Sequence, residues 1–473
     1  MRFAAPVALA LVAGCGGAAI APPPSVALWV EVDTLRADAL GCYGSSVRGI
    51  AADGSPLQPS PAIDAIAREG LLFERCYSAA PWTIPSLVTQ LTGRWPFDHG
   101  ATELLAPLDQ ELVTVPEVLQ RAGWRTVGVT TNFVATGRLG FGQGFDQFDD
   151  ALALGHEGST GELAAERLLS EIDDARAAAP DAPLFGFALL FEPHFRYERH
   201  AGLVFGARYD GTLTGQEDLA ELRRRLVGGE DALTEADIAH LEALYQGEVA
   251  AADRAVATLR AGLEERGLWD EALILFTADH GEELGRRGWI GHTVNLRDDL
   301  VHVPLVVKAP AAWGEARRGE REAAPVSQVD LGRSLLDWLG VGAAARPEHL
   351  GPHHSFAPLL FGRSIEVRRY LFLHTRFEPV LSASAPKRAH LFGVIDGETL
   401  DKWTVDHLNE GGAPRGALVN LASDPDELDD LADEGRLPAD RLRLARLRGL
   451  VASPLGGLDG AERLPVDDGP VER

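Results

Sequence analysis

Val26-Ala27-Leu28-Trp29-Val30-Glu31-Val32 followed by Asp33 is the stretch on which the fold turns. It is a short apolar run bounded by Pro24 and Asp33, rich in β-branched residues, which suits a strand buried on both faces of a parallel sheet. Similar runs occur at residues 126–131, 184–191, 272–277 and 303–307. Helical periodicity separates them: Val256, Leu259 and Leu263 share a face in residues 251–266, and Gly267 ends that helix. Residues 162–179 form a second amphipathic candidate. Strands alternating with helices predict an α/β fold, a central mostly parallel sheet covered by helices on both faces. Asp33, Asn132, Glu192 and Asp279 each fall at or just after a predicted strand end, the rim where open α/β sheets bind ligands.

Beyond about residue 315 the character changes. Gln328-Val329-Asp330-Leu331-Gly332 opens a helix through Leu339, with Gly340 as its stop. After Arg363, strand-like runs at 370–373 and 390–394 predict a smaller C-terminal antiparallel subdomain. The reading divides the chain into 1–14, 15–25, 26–365, 366–435 and a tail at 436–473. The end of that tail, 456–473, is rich in Gly, Pro and Asp and reads as disordered.

Composition bounds the function. At 473 residues, 45% hydrophobic and 24% charged, the chain has the balance of a globular protein with a large core. A net charge of −26 argues against nucleic acid and, at long range, against polyanions. The N-terminus reads as a targeting segment. Arg2 precedes an apolar core from Phe3 to Val12, too short to span a bilayer. Leu11-Val12-Ala13-Gly14-Cys15 looks like a bacterial lipoprotein cleavage box, with lipid attached at Cys15 and residues 16–24 as tether. The competing reading is an unprocessed apolar terminus with a chance cysteine. Lipidation predicts a chain anchored at the bacterial cell envelope, touching membrane through that lipid only. Cys42 and Cys76 read as buried thiols in preference to a disulfide.

The stretch from Thr83 to Arg94, TIPSLVTQLTGR, matches the length and frame of the sulfatase signature Cys-x-Pro-Ser-Arg followed by Thr-Gly-Arg. Pro85, Ser86, Leu91, Thr92, Gly93 and Arg94 agree with it. Val32 to Asp38 with Gly41-Cys42-Tyr43-Gly44, then Thr277 to Glu282, resemble the two metal-binding strand ends of the sulfatase branch of the alkaline phosphatase superfamily. Glu192-Pro193-His194, Gly291-His292, Val303-Pro304-Leu305 and Ser423 to Glu427 are similar to further landmarks, in the family's order. The resemblance covers about residues 26–432.

That resemblance implies one divalent metal ion held by Asp33, Thr83, Asp279 and His280. Calcium-type sulfatases carry a second aspartate and often an asparagine where this chain has Thr34 and His280, so the ligand types favour zinc or manganese over calcium. Thr83 falls at a predicted helix start, since Pro85 suits a first turn, where free N–H groups face an anion. It reads as the nucleophile or as a plain N-cap. Threonine cannot become the formylglycine aldehyde, which requires cysteine or serine, so the residue suits phosphoryl better than sulfuryl chemistry. His194 and His292 are the candidates for leaving-group protonation and anion binding, or for a second metal, against ordinary hydrogen-bonded histidines. Asn132 is a candidate amide donor to the anion or a turn residue.

The departures are specific. Leu87 replaces the arginine after the nucleophile. The lysine element expected near residues 132–140 has no clear counterpart beyond Arg138, and Val294 and His302 replace an expected histidine and arginine. The sequence therefore predicts a metal-dependent hydrolase of phospho- or sulfoesters, small or oligomeric, with phosphodiester or phosphonate hydrolysis or phospho-headgroup transfer preferred. The alternatives are a true sulfuric ester hydrolase and a non-catalytic binding lipoprotein of the same fold.

Overall fold

A computed structural model of the chain describes residues 23–431, apart from 52, 106, 156–159, 342–353, 366–367, 378–388 and 407–414, and also describes Leu447 and Leu450. Cys15 and the tail beyond 450 lie outside the described residues. No helix among them is long and apolar enough to cross a membrane.

Eight strands build the central sheet: Val26–Val32 (β1), Leu71–Phe73 (β2), Arg125–Thr130 (β3), Gln147–Asp149 (β4), Leu184–Leu190 (β5), Ala272–Ala278 (β6), Leu305–Lys308 (β7) and Glu320–Glu322 (β8). Their spatial order is β8-β2-β7-β6-β1-β5-β3-β4. The five strands β6, β1, β5, β3 and β4 run parallel. β7 opposes both of its neighbours. The apolar run at 303–307 is thus broken at Pro304, and its second part runs against the sheet; an apolar strand carries no mark of its direction.

Every residue of β1, β5 and β6 is buried, because helices cover both faces. Pro61–Glu69 (α1), Gly161–Ala178 (α3) and Glu235–Glu265 (α4) pack together on one side. Thr83–Thr92 (α2) and Leu331–Trp338 (α5) lie on the other. The alternation of β1 sorts the two layers: Leu28 lies close to Gly186 and Leu168 of α3, whereas Glu31 meets Gln90 of α2. The helix expected at 251–266 is the second half of α4. Thr234 and Asp237 start α4 with a capping box, each side chain accepting the other's backbone N–H.

Tyr370–Phe377 (β9), Ala389–Asp396 (β10), Asp401–Asp406 (β11) and Arg415–Asn420 (β12) make the C-terminal antiparallel sheet. Glu427, in the last landmark, fastens this sheet to the body. Its Oε1 accepts from the buried Lys402 Nζ at 2.5 Å and from Asp298 N at 3.1 Å. Cys42 and Cys76 are free thiols.

Candidate active site

Parallel register creates the site. Val32 of β1 pairs with Ala278 of β6, so the next residues, Asp33 and Asp279, emerge side by side. The turn after Asp33 is strained: Thr34 has φ 55, an unusual conformation for a β-branched residue. Two bonds hold it. Thr34 N donates to Asp279 Oδ1 at 3.2 Å, and Tyr245 Oη of α4 donates to Thr34 O at 2.8 Å.

His280 Nε2 lies 3.5 Å from Asp33 Oδ1, 3.3 Å from Asp279 Oδ2 and 3.3 Å from Thr83 Oγ1. Its Nδ1 is 2.9 Å from Gly281 O, which accepts the Nδ1 proton and leaves Nε2 as a lone-pair donor facing the carboxylates. Among the described residues Asp33 Oδ1, Asp279 Oδ2 and the hydroxyl of Thr34 have no hydrogen-bond partner, although all three residues are completely buried. Burial raises the Asp33 carboxyl well above its usual range and the Asp279 charge raises it further. Burial also raises Asp279, against the N–H groups of His280 and Thr34. His280 is lowered by burial and by His292, so it is neutral.

Two orphaned carboxylate oxygens, a neutral imidazole nitrogen and a hydroxyl fit a divalent cation. A tetrahedral ion with bonds of about 2.1 Å keeps its ligands about 3.4 Å apart, and the separations around Nε2 are 3.3–3.5 Å. The structure thus brings together all four ligands expected from the sequence.

Thr83 is the first residue of α2, and its side chain makes no capping bond; Trp82 is the N-cap. Its hydroxyl instead reaches His280 Nε2. His292 lies beside the centre, its ring 4.6 Å from that of His280 and its Nδ1 3.0 Å from the buried Glu282 Oε1. His194 packs edge-on against His292 at 5.1 Å. Asn132 Nδ2 donates to Asp33 Oδ2 at 2.5 Å, and its Oδ1 accepts Val134 N at 2.8 Å. Its amide therefore orients a ligand, and an anion contact is left only the second N–H. Glu192 leaves the rim: its Oε1 accepts Gly161 N at 3.1 Å, at the helix start where N–H groups lack intrahelical partners. Leu87 sits in the hydrophobic core, and His302 Nε2 bonds Glu74 O.

Three features of the site lie outside the residues singled out for its chemistry. Glu282 orients His292. Beneath the centre, Gln90 Nε2 donates to Glu31 Oε1 at 2.9 Å and to Gln328 Oε1 at 3.2 Å, and Gln328 Nε2 donates to Ala278 O at 2.6 Å. Ser86 Oγ donates to Asp279 O at 2.6 Å. This network bolts α2, and Thr83 with it, to β1 and β6. Burial and the nearby Asp279 push Glu31 up to about 8, so it holds its proton at neutral pH. The available signal was Glu31 itself, an acid inside an otherwise apolar strand. The third feature is His99, whose Nε2 is 3.2 Å from Pro85 O while Nδ1 accepts Ala101 N at 3.0 Å.

An open α/β rim that gathers acids, imidazoles and a helix-terminal hydroxyl around a cation-sized gap is consistent with the metal site of an ester hydrolase. Residues 25–341 match the family model described as Sulfatase, and the chain belongs to that family of ester-bond hydrolases. Among relatives, it is 24% identical to the multifunctional alkaline phosphatase superfamily protein PehA of Trinickia caryophylli, over 66% of this chain and 73% of that one. It is 22% identical to N-acetylglucosamine-6-O-sulfatase of Bacteroides thetaiotaomicron, over 68% and 70%. The fold superposes on the phosphonate monoester hydrolase of Agrobacterium radiobacter with a TM-score of 0.66 at 21% identity, covering 95% of this chain and 99% of that one.

Two outcomes follow from these contacts. A Cβ on Gly281 would lie 1.9 Å from Asp299 O, a backbone atom that cannot step aside. Gly281→Ala is expected to cost roughly 3 kcal/mol of stability, read as a clear fall in Tm. Burial lowers His99 to about 3, so the unfolded chain takes up a proton near its ordinary value while the folded chain does not. Stability linked to His99 is complete above about pH 6.5 and is lost as pH falls toward 3, by on the order of 4 kcal/mol. Melting curves across that window should be steeper in wild type than in His99→Gln; parallel curves would refute the assignment.

Proposed function

We propose that the chain hydrolyses phosphorus esters, phosphonate monoesters or phosphodiesters first, with Thr83 as nucleophile. The observation that carries this reading is the place of the Thr83 hydroxyl, among the metal donors and not on the helix cap. A bound divalent ion would lower the pKa of that hydroxyl and offset charge on the substrate oxygens. Thr83 Oγ then bonds to phosphorus as the bond to the leaving oxygen breaks. The leaving oxygen takes a proton from His194 or His292, both at the mouth of the centre. Water attacks the phosphothreonine, returning the hydroxyl and releasing the product acid; an acceptor alcohol in place of water would make the reaction a transfer. Free N–H groups at the start of α2 face the substrate anion, with the second N–H of Asn132 as a further donor.

The names of the relatives bracket phosphonate and sulfate esters. Threonine decides for phosphorus, since it lacks the gem-diol route by which formylglycine releases sulfate. Zinc or manganese is the proposed ion. Thr34 and His280 supply one carboxylate fewer and one imidazole more than a calcium site uses.

Thr83→Ala should lower kcat on aryl phosphonate monoesters by on the order of 10³-fold or more, with Thr83→Ser retaining part of the activity. Equal turnover by Thr83→Ala would reject the nucleophile, and Thr83-dependent turnover of sulfate esters would reject the preference for phosphorus. For the ion, Zn²⁺ or Mn²⁺ should raise the Tm of wild type more than Ca²⁺ does. Thr34→Asp with His280→Asn should reverse that order; an unchanged order would reject the ligand argument.

A further inference from the structure

A cavity separate from the reacting centre lies between the segment from Arg36 to Asp38 and the segment from Asp426 to Leu428. Its volume of about 410 Å³ falls in the range of small-molecule sites. Five acids and three arginines line it, a surplus of two negative charges. Four of the acids are matched. Arg36 Nη2 lies 2.6 Å from Asp38 Oδ2 and 3.0 Å from Asp299 Oδ1, and Arg287 Nη1 lies 3.5 Å from Asp299 Oδ2. Arg286 Nη2 donates to Glu242 Oε2 at 2.6 Å, and Arg287 Nη2 donates to Asp426 Oδ1 at 2.8 Å. Glu283 is the fifth acid. It is 1% exposed, and its Oε2 accepts from Asn295 Nδ2. Its Oε1 is buried with no hydrogen-bond partner among the described residues, and Arg297 Nε stands 3.9 Å from it. Burial lifts this carboxyl to about 7, a rise that a cation in contact would reverse.

We infer that this cavity is a second ligand site, for an organic ammonium ion that donates to Glu283 Oε1. An anion would meet the surplus of acids. A bare metal ion needs several converging donors. Among the described residues, the group of acids and histidines that converges in that way is Asp33, Asp279 and His280, at the other site. An ammonium needs one carboxylate oxygen and hydrogen-bonds it with full charge assistance. Its carbon chain then lies along Leu284 and Leu428, the latter 78% exposed at the mouth. Two surplus charges favour a diamine, and the net charge of −26 draws such cations toward the surface. The site shares a wall with the supports of the centre: Glu283 follows Glu282, which orients His292, and Arg36 Nη1 donates to Glu282 O at 3.1 Å.

The test is calorimetric titration of the full chain with cadaverine, aminopentanol and pentanediol, which share one carbon chain and carry two, one and no amino groups. Cadaverine should bind with a Kd below about 1 mM, aminopentanol about ten-fold more weakly, and pentanediol not measurably. Glu283→Gln keeps the side-chain shape and an acceptor for Asn295, and should weaken cadaverine at least ten-fold. Leu428→Lys, at an exposed position, supplies the mouth with an ammonium of the chain's own and should weaken it as well. Melting curves without ligand establish that both variants are folded. Equal affinity for cadaverine and pentanediol, or no binding by wild type, would overturn the site. Binding that is lost in Asp33→Asn and kept in Glu283→Gln would place the amine at the reacting centre and overturn it equally.

Discussion

Asp33 Oδ1 and Asp279 Oδ2 face one imidazole nitrogen in the buried interior, and neither has a hydrogen-bond partner among the described residues. Such an arrangement is expensive, because desolvated like charges gain nothing from each other. Only a cation in the gap, or protons on the acids, relieves it. Much of the surrounding architecture serves to hold this unfavourable geometry. The β1–β6 register places the acids together, Tyr245 reaches across from α4 to secure the left-handed Thr34, and Asn132 clamps the second oxygen of Asp33.

The position of Thr83 depends on the same constraint from the other side of the sheet. Thr83 can approach His280 only if α2 is fixed against the strand ends, and α2 is entirely buried. Apolar packing alone would let it slide by a fraction of an ångström, enough to matter for an attacking oxygen. The directional bonds from Gln90 to Glu31, Ser86 to Asp279 and His99 to Pro85 remove that freedom. Glu31 can serve there because its raised pKa keeps it neutral, so the anchor adds no further negative charge to the centre.

Buried parallel strands were legible as continuous apolar runs, and β1 was read to the residue. The candidate metal donors Asp33, Asp279 and His280 were legible because they follow strand ends within matching motifs. Three things were hidden for physical reasons. The first half of α4 is rich in charge, and only the Thr234–Asp237 capping box marks its start. Glu192 lies two residues beyond β5, where Asp33 directly follows β1, and the nearby N-terminus of α3 takes its carboxylate. The Glu31–Gln90–Gln328 network joins residues far apart in sequence, and no local pattern announces a contact between elements.

Leu87 removes the arginine that the family signature places after the nucleophile, the strongest sequence argument for a scaffold that only binds. Its surroundings weaken that argument. Leu87 is 1% exposed and packed into the main core, so the substitution is a working part of the packing around α2. A binding module could satisfy itself with a relaxed turn and paired acids. This chain instead retains a strained Thr34, unpartnered carboxylate oxygens and a threonine hydroxyl held off its helix cap. Strain and unsatisfied polarity concentrated within one site mark it as a functional centre of the fold. In the proposed reaction the role of that arginine would fall to a bound divalent ion and to N–H groups at the start of α2.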